Sequence, residues 1–328
     1  MVAKVFGGEA RENRTSEPEI LEKVKEIAKV NQSVEGHIPV LLCHEKFTNP
    51  TSSIRAALGF PEPTIGSRVL HILVFPKLSP ITKLRRDDLC NVWRQCILCH
   101  IALWKEGVYH RDISPENMMW YRDKLGKLMG VLNDYDLSLL KEALGPQGNE
   151  RTGTVPFMAL DLLAPKAQRG EVKHLYRHDM ESFVWVFIWI CFRYNSEGDL
   201  LPPAARRFDA WATLGASTCR EKKRDFLADM GRCSRPNDIG RLTWFFLLQC
   251  AWVLEEYRHH RSNQQLGQKL SRLAGVIPVD GLPGVVEQSE PEEDETEEDE
   301  TEQDMDIFLG MFTATTGWQE LERRIRSQ

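Results

Sequence analysis

The 328-residue sequence predicts an α+β fold in two lobes, a small N-terminal lobe built on a reduced sheet and a mainly helical C-terminal lobe. Three observations carry that expectation. Before residue 76, apolar and β-branched residues come in short runs separated by Pro- and Gly-containing turns. From Asp87 onward, Leu89, Val92, Trp93, Cys96, Ile97, His100, Leu103 and Trp104 recur at helical spacing. The length exceeds the ~150 residues of a typical domain, and 42% hydrophobic content is compatible with a sizeable core.

Along the chain, MVAKVF reads as a short strand, followed by a polar loop with Gly7, Gly8 and Asn13. Thr15 or Ser16 starts a helix through Ala28, with Pro18 tolerable in its first turn and Ser16 to Glu19 spaced as a capping box. Ile38 to Cys43, Ser52 to Leu58 and Arg68 to Phe75 supply further strands. The first long helix, Leu89 to Trp104, carries His100 as a packed histidine and Cys96 and Cys99 as core cysteines, since no second Cys pair lies at zinc spacing. Met118 to Tyr121 and Leu128 to Leu132 are strands around a polar turn. Met180 to Tyr194 and Ile239 to Tyr257 are buried helices, the basic stretch Arg258 to Arg261 marking a solvated helix end.

Charge is unevenly spread. The net charge is −6, but residues 290–306 hold 12 acids and no base, so 42 Lys and Arg elsewhere face only 36 acids. Residues 276–306 shift to Pro, Gly and acid and are expected to stay disordered. Ile307 to Trp318 is apolar again and precedes a basic helical end with Arg323, Arg324 and Arg326. The boundaries expected are therefore 1–76, 77–275, 276–306 and 307–328. Eight cysteines without a disulfide-framework spacing and the lack of an N-terminal apolar signal predict a cytoplasmic or nuclear protein. The apolar run Ser182 to Phe192 is shorter than the ~20 residues a membrane span needs. The modest basic excess and the absence of a stacking motif argue against nucleic-acid binding.

The chemistry concentrates in HRDISPEN (110–117), between the first long helix and a strand. A phosphoryl-transfer loop needs a carboxylate to accept the proton of an attacking hydroxyl, here Asp112, and an amide five residues on, here Asn117, to hold a metal ion. NDYD (133–136) follows at the end of the next strand, so Asp112, Asn117 and Asp134 could surround one magnesium–nucleotide site.

Four blocks, HRDISPENMMW, GVLNDYDLS, RTGTVPFMALDLL (151–163) and HDMESFVWVF (178–187), in this order resemble the fungal-type protein kinase family, a branch of the protein-kinase-like fold. The resemblance covers roughly residues 2 to 260. It implies ATP and Mg2+ as cofactors, an unidentified protein as substrate, and roles for particular residues. Lys4 matches the lysine that contacts the nucleotide phosphates. Glu17, ahead of Ile20-Leu21, is its ion-pair partner, with Glu19 occupied at the cap and a solvated acidic first turn as the alternative. Phe75-Pro76-Lys77 is the hinge facing adenine. His110 and Arg111 support the loop, Asp134 binds metal, Thr154 contacts Asp112 and favours a hydroxyl amino-acid substrate, Asp161 takes the place of the closing glutamate, and Asp179 pins the catalytic-loop backbone.

Several departures accompany the match. Ser114 stands where Ser/Thr kinases usually carry a lysine, which removes one cation from the γ-phosphate. Asp136 replaces the glycine of the metal-binding tripeptide and has less conformational freedom. Only three residues precede Lys4, so the glycine-rich loop of kinases is expected to be missing, and with it donors worth about 3 kcal/mol each in the transition state; weak nucleotide binding and slow transfer follow. A pseudokinase scaffold and a small-molecule phosphotransferase are the rival readings, the latter opposed by the gapless GTVPFMALD match.

Overall fold

The computed structural model describes residues 1–9, 15–47, 50–60, 68–141, 153–236, 238–276 and 305–326. It is a mixed α/β chain of small sheets and many helices. Strand β1 (Val2–Glu9) pairs antiparallel along its whole length with β3 (Arg68–Phe75), which pairs on its other side with β2 (Cys43–Lys46). Pairing carries β1 through Gly7 and Gly8, opposite Leu70 and Val69, so these glycines lie in the strand and not in the expected loop. Asn13 lies outside the described residues.

Helix α1 (Glu17–Ala28) follows the expected cap at Ser16 and buries Ile20, Leu21, Val24 and Ile27 at i, i+3/i+4 spacing against Leu73 and Phe75. This small core reaches Cys99, Leu103, Val108 and Tyr135 of the following part of the chain.

Two of the expected strands are corrected. Residues 38–42 are not in a strand, and pairing begins at Cys43: Pro39 lacks the N–H a ladder needs, while Ile38 and Leu41 pack against the small core. The stretch Ser52 to Leu58 is instead helix α2 (Thr51–Ala57), opened by the Pro50 carbonyl, which accepts the N–H groups of Ser53 and Ile54. Its Ala and Arg residues favour helix, and the lone Ile54 is half exposed, so nothing holds the segment in a sheet.

Helix α3 (Arg86–Lys105) is slightly longer than expected and packs on β7 (Leu128–Leu132). Gly130 permits the close approach: a Cβ there would sit 2.9 Å from the Val92 carbonyl oxygen. β7 pairs with β6 (Met118–Arg122), which also pairs with the two-residue β4 (Ser79–Pro80), and β5 (Val108–Tyr109) pairs with β8 (Leu139–Leu140). These two-residue strands are too short to show a period in sequence.

After α4 (Pro165–Gln168), α5 (Tyr176–Arg193) runs through the large core with almost every residue buried. At roughly 1.5–3 kcal/mol per buried large apolar side chain, its Phe, Trp, Val and Ile residues contribute heavily to folding. α6 (Ala216–Asp229), which the sequence reading did not identify, packs beside it. α7 (Arg241–Val276) continues past Tyr257, so Arg258 to Arg261 lie within a helix and not at its end. The C-terminal apolar stretch forms two helices, α8 (305–313) and α9 (Thr316–Arg326), because the Thr315 hydroxyl accepts the Trp318 N–H and opens α9. Met305 is buried in the main core, so the packed C-terminal part starts ahead of residue 307. The rest of the acidic stretch, 277–304, is outside the described residues. Among the described residues, no helix is long and apolar enough to cross a membrane.

Candidate active site

Alternation along β1 turns Lys4 and Phe6 inward and leaves Val5 61% exposed. At the start of α1, Glu19 is occupied: its carboxylate accepts the Ser16 N–H (2.7 Å) and the Ser16 hydroxyl (2.8 Å). Glu17 is therefore left to turn inward, where it is 3% exposed and its Oε2 lies 2.6 Å from Lys4 Nζ. The same ammonium lies 2.6 Å from Oδ1 of Asp134, 130 residues along the chain. Burial alone would lower the Lys4 ammonium, but the Glu17 and Asp134 carboxylates raise it above its ordinary value. Burial falls more heavily on Glu17, whose carboxyl rises above 4.5 although Lys4 and the Tyr135 N–H (3.1 Å) pull it back.

The catalytic-loop residues form a second group. Asp112 accepts both the backbone N–H and the hydroxyl of Thr154 on Oδ1, each at 2.9 Å. Asn117 Nδ2 donates to the Asp112 carbonyl (2.9 Å) and to its Oδ2 (3.2 Å), which leaves the amide oxygen as its remaining ligand atom. The two groups are joined through the backbone, since the Asn133 N–H donates to the Asn117 carbonyl at 2.8 Å and Asn133 immediately precedes Asp134.

Beneath them lies a buried layer. Burial lowers the imidazole of His110, so it is neutral. Its Nε2–H donates to the Asn133 carbonyl (3.0 Å), and its Nδ1 accepts the Asp112 N–H (3.3 Å). Asp179 accepts the Arg111 N–H (3.1 Å) and contacts His100 Nε2 (2.8 Å) and His174 Nε2 (2.7 Å). Burial would raise this carboxyl, but His174 and His100 hold it well below 3.8. His100 is thus packed, as expected, and also hydrogen-bonded. His174 had no signal, because its contact depends on how the chain enters α5.

Arg111 (φ 70°) and Asp134 (φ 64°) are left-handed without being glycine, a conformation that non-glycine residues hold only where surrounding contacts enforce it. Both stand at the turns that present Asp112 and the DYD carboxylates. Ser114 is 2% exposed, so a buried hydroxyl stands where a cation is usual. Asp161 is 56% exposed, with Arg177 Nε and His178 Nε2 at 4.0 and 3.9 Å, a loose arrangement for a closing residue. The neighbouring Leu160 N–H is held by buried Glu181 (2.8 Å). Glu181, and the α6 side chains Arg220 and Lys223 that reach the same segment, were not anticipated. The i, i+4, i+7, i+8 pattern of Cys219, Lys223, Phe226 and Leu227 is the signal that marks their helix.

The side chains suit a nucleotide-bound divalent cation. Asp134 and the Asn117 amide oxygen are hard donors, and the described residues gather no cluster of three His, Cys, Asp or Glu. Magnesium characteristically takes one or two protein oxygens and completes its shell with phosphates and water.

The profile of the fungal protein kinase family matches residues 8–191. Among curated proteins the chain is similar to CBL-interacting protein kinase 33 of Oryza sativa subsp. japonica, 24% identical over 64% of this chain and 44% of that protein. CBL-interacting serine/threonine-protein kinase 3 of Arabidopsis thaliana is 23% identical over 56% of this chain and 40% of that protein. CBL-interacting serine/threonine-protein kinase 9 of the same plant is 25% identical over 56% and 39%. The chain thus spans less than half the length of these relatives.

Proposed function

The chain belongs to the fungal protein kinase family, and on that premise we propose that it transfers the γ-phosphoryl group of ATP to serine or threonine hydroxyls of proteins. The family implies ATP and with it a divalent cation; magnesium fits the oxygen donors present. When bound, the cation would neutralise charge on the transferring phosphoryl group. Asn117 and Asp134 would hold it. Lys4, kept charged by its two carboxylates, would anchor the phosphates, and Glu17 would orient Lys4. Asp112 would accept the proton of the incoming hydroxyl, and Thr154, on the same carboxylate oxygen, would align it. His110, Arg111, Asp161 and Asp179 would support the loop and the segment, in a two-lobed arrangement with residues 1–76 above the cleft and 77–275 below it.

The observation that carries this reading is Lys4 Nζ at 2.6 Å from both Glu17 and Asp134, which joins the N-terminal sheet to the DYD turn at one charged corner. Its test is transfer from labelled ATP to a generic protein mixture. Asp112→Asn is expected to lower transfer by a factor of about 100 or more. Equal transfer by both proteins would refute the assignment of Asp112.

A scaffold role without turnover is the second reading. One observation favours it: Ser114, where a lysine is usual, is buried and supplies no cation. Magnesium–ATP binding without transfer would select it.

A further inference from the structure

Lys223 on α6 is a lysine with no exposed surface. Long cationic side chains normally lay their stems along apolar surface and keep the ammonium in water. Here the head itself is enclosed. Nζ donates to the Met158 carbonyl at 2.6 Å and lies 4.6 Å from the ring centre of Trp185 and 5.8 Å from that of Trp211, two indoles packed edge to face at 5.7 Å. An apolar residue would fill this space without desolvating a charge, so the ammonium must be tied to the carbonyl it meets.

That carbonyl belongs to the segment facing Asp112. Around it α6 and α5 hold one short stretch of backbone. Arg220 Nε donates to the Leu160 carbonyl at 3.0 Å, and Glu181 Oε1 accepts the Leu160 N–H at 2.8 Å and the Trp185 indole N–H at 2.9 Å. Phe157 packs edge to face on Trp189. From Met158 the path to the site is one turn long: the Thr154 carbonyl accepts the N–H groups of Phe157 (2.8 Å) and Met158 (3.2 Å), and Thr154 makes the two hydrogen bonds to Asp112. Movement of the Met158 carbonyl therefore moves Thr154.

We propose that Lys223 is the positioning residue of the substrate-facing segment: by holding the Met158 carbonyl with an ammonium seated against two indoles it sets the Thr154–Asp112 contact and so governs use of the protein substrate. The proposal rests on the kinase reading above. Two further features follow from the burial. Burial pushes the Lys223 ammonium down to about 7, although Cys219 on its own helix and Glu181 on α5 raise it. Glu181 is itself raised, by burial and then by Asp161. Lys223 thus loses its charge as pH rises through the neutral range, and with it the attraction to the indole faces and to Glu181.

The experiment uses the full chain with casein as the phosphate acceptor, comparing wild type, Lys223→Met and Lys223→Arg. Lys223→Met keeps the apolar stem and is expected to lower kcat/KM for casein by about 10-fold or more, the scale of a misplaced aligning group, with the melting shift on magnesium–ATP unchanged. In the wild type, kcat/KM should fall as pH rises through about 7. That limb should vanish in Lys223→Met and move to higher pH in Lys223→Arg, whose guanidinium stays charged. Amide hydrogen exchange at Thr154, Met158 and Leu160 gives a readout independent of turnover, and Lys223→Met should speed it about 10-fold. If the wild type transfers no phosphate, the kinase reading fails while the exchange arm still decides the role of Lys223. Should neither variant fold, wild-type exchange at about pH 6 and 8, corrected for the intrinsic rate, decides it: loss of protection at the higher pH supports the proposal. Kinetics and exchange within twofold of wild type in Lys223→Met, or wild-type protection independent of pH, overturn it.

Discussion

Lys4 at the edge of the candidate site and Lys223 in the buried floor under the Met158 segment are the same residue type in opposite surroundings. Lys4 is 28% exposed and flanked by two carboxylates, which raise its ammonium above the ordinary value despite partial burial. Lys223 is fully enclosed against a carbonyl and two indole faces, and burial lowers it to about 7. The difference shows how charge is divided in this molecule. At the edge, full charges meet full charges within reach of solvent, an arrangement fit to receive phosphates. On the floor, a charge is spent on holding backbone, and its protonation is marginal.

The largest effect expected at the edge is on ligand binding. Magnesium–ATP at about 100 times its Kd should stabilise the wild type by ~2.7 kcal/mol, and Asp134→Asn should lose most of that shift because the one negatively charged ligand of the pair becomes a neutral amide. Thermal melting with and without the nucleotide measures it. An undiminished shift would mean that the edge carboxylates do not hold the metal, and the contrast with the floor would lose its functional half.

Next in size is the cost of stranding Glu17. Lys4→Met leaves a 3%-exposed carboxylate without its cation, at a cost of about 2 kcal/mol at neutral pH, read from denaturant unfolding. The sign with pH is set by Glu17, whose folded carboxyl titrates above its ordinary 4.5. The cost of burying the charged form is absent below the unfolded value and complete above the folded one, so the variant's deficit should shrink as the pH is brought from 7 towards 4.5. A deficit that stays constant would assign the loss to packing of the Lys4 stem.

The smallest effect concerns Tyr135, which lies fully buried behind the edge, its N–H on Glu17. Its ring packs edge to face on His110 at 5.0 Å, while its hydroxyl has no hydrogen-bond partner among the described residues. Tyr135→Phe keeps the ring and removes the unsatisfied group, so unfolding free energy should rise by about 1 kcal/mol. A loss of stability would show that the hydroxyl is satisfied in solution and that the core behind Lys4 and Glu17 is wet.

The edge was the more legible of the two regions. The capping box assigns Glu19 to Ser16, which leaves Glu17 to meet Lys4, and the order of HRD, NDYD and GTVPFMALD places Asp112, Asn117, Asp134 and Thr154 along one chemistry. These inferences rest on short-range rules: a cap reaches three residues and a loop motif eight. The floor was hardly legible. Arg220 and Lys223 lie in a charged stretch whose bland reading is a solvated surface, and only the apolar period of Cys219, Phe226 and Leu227 marks a buried face.

By itself, then, the sequence determined the period of its long helices, the β1 and β3 strands, the capped start of α1 and the chemical content of the catalytic loop, because each depends on residues near in the chain. Tertiary structure alone decided that His174 joins His100 on Asp179 and that Glu181, from α5, holds the Leu160 N–H. In each case the free energy depends on what arrives from elsewhere in the chain. A segment of mixed propensity takes the structure its neighbours reward, and a buried charge is stable only where a distant carbonyl, carboxylate or ring comes to meet it.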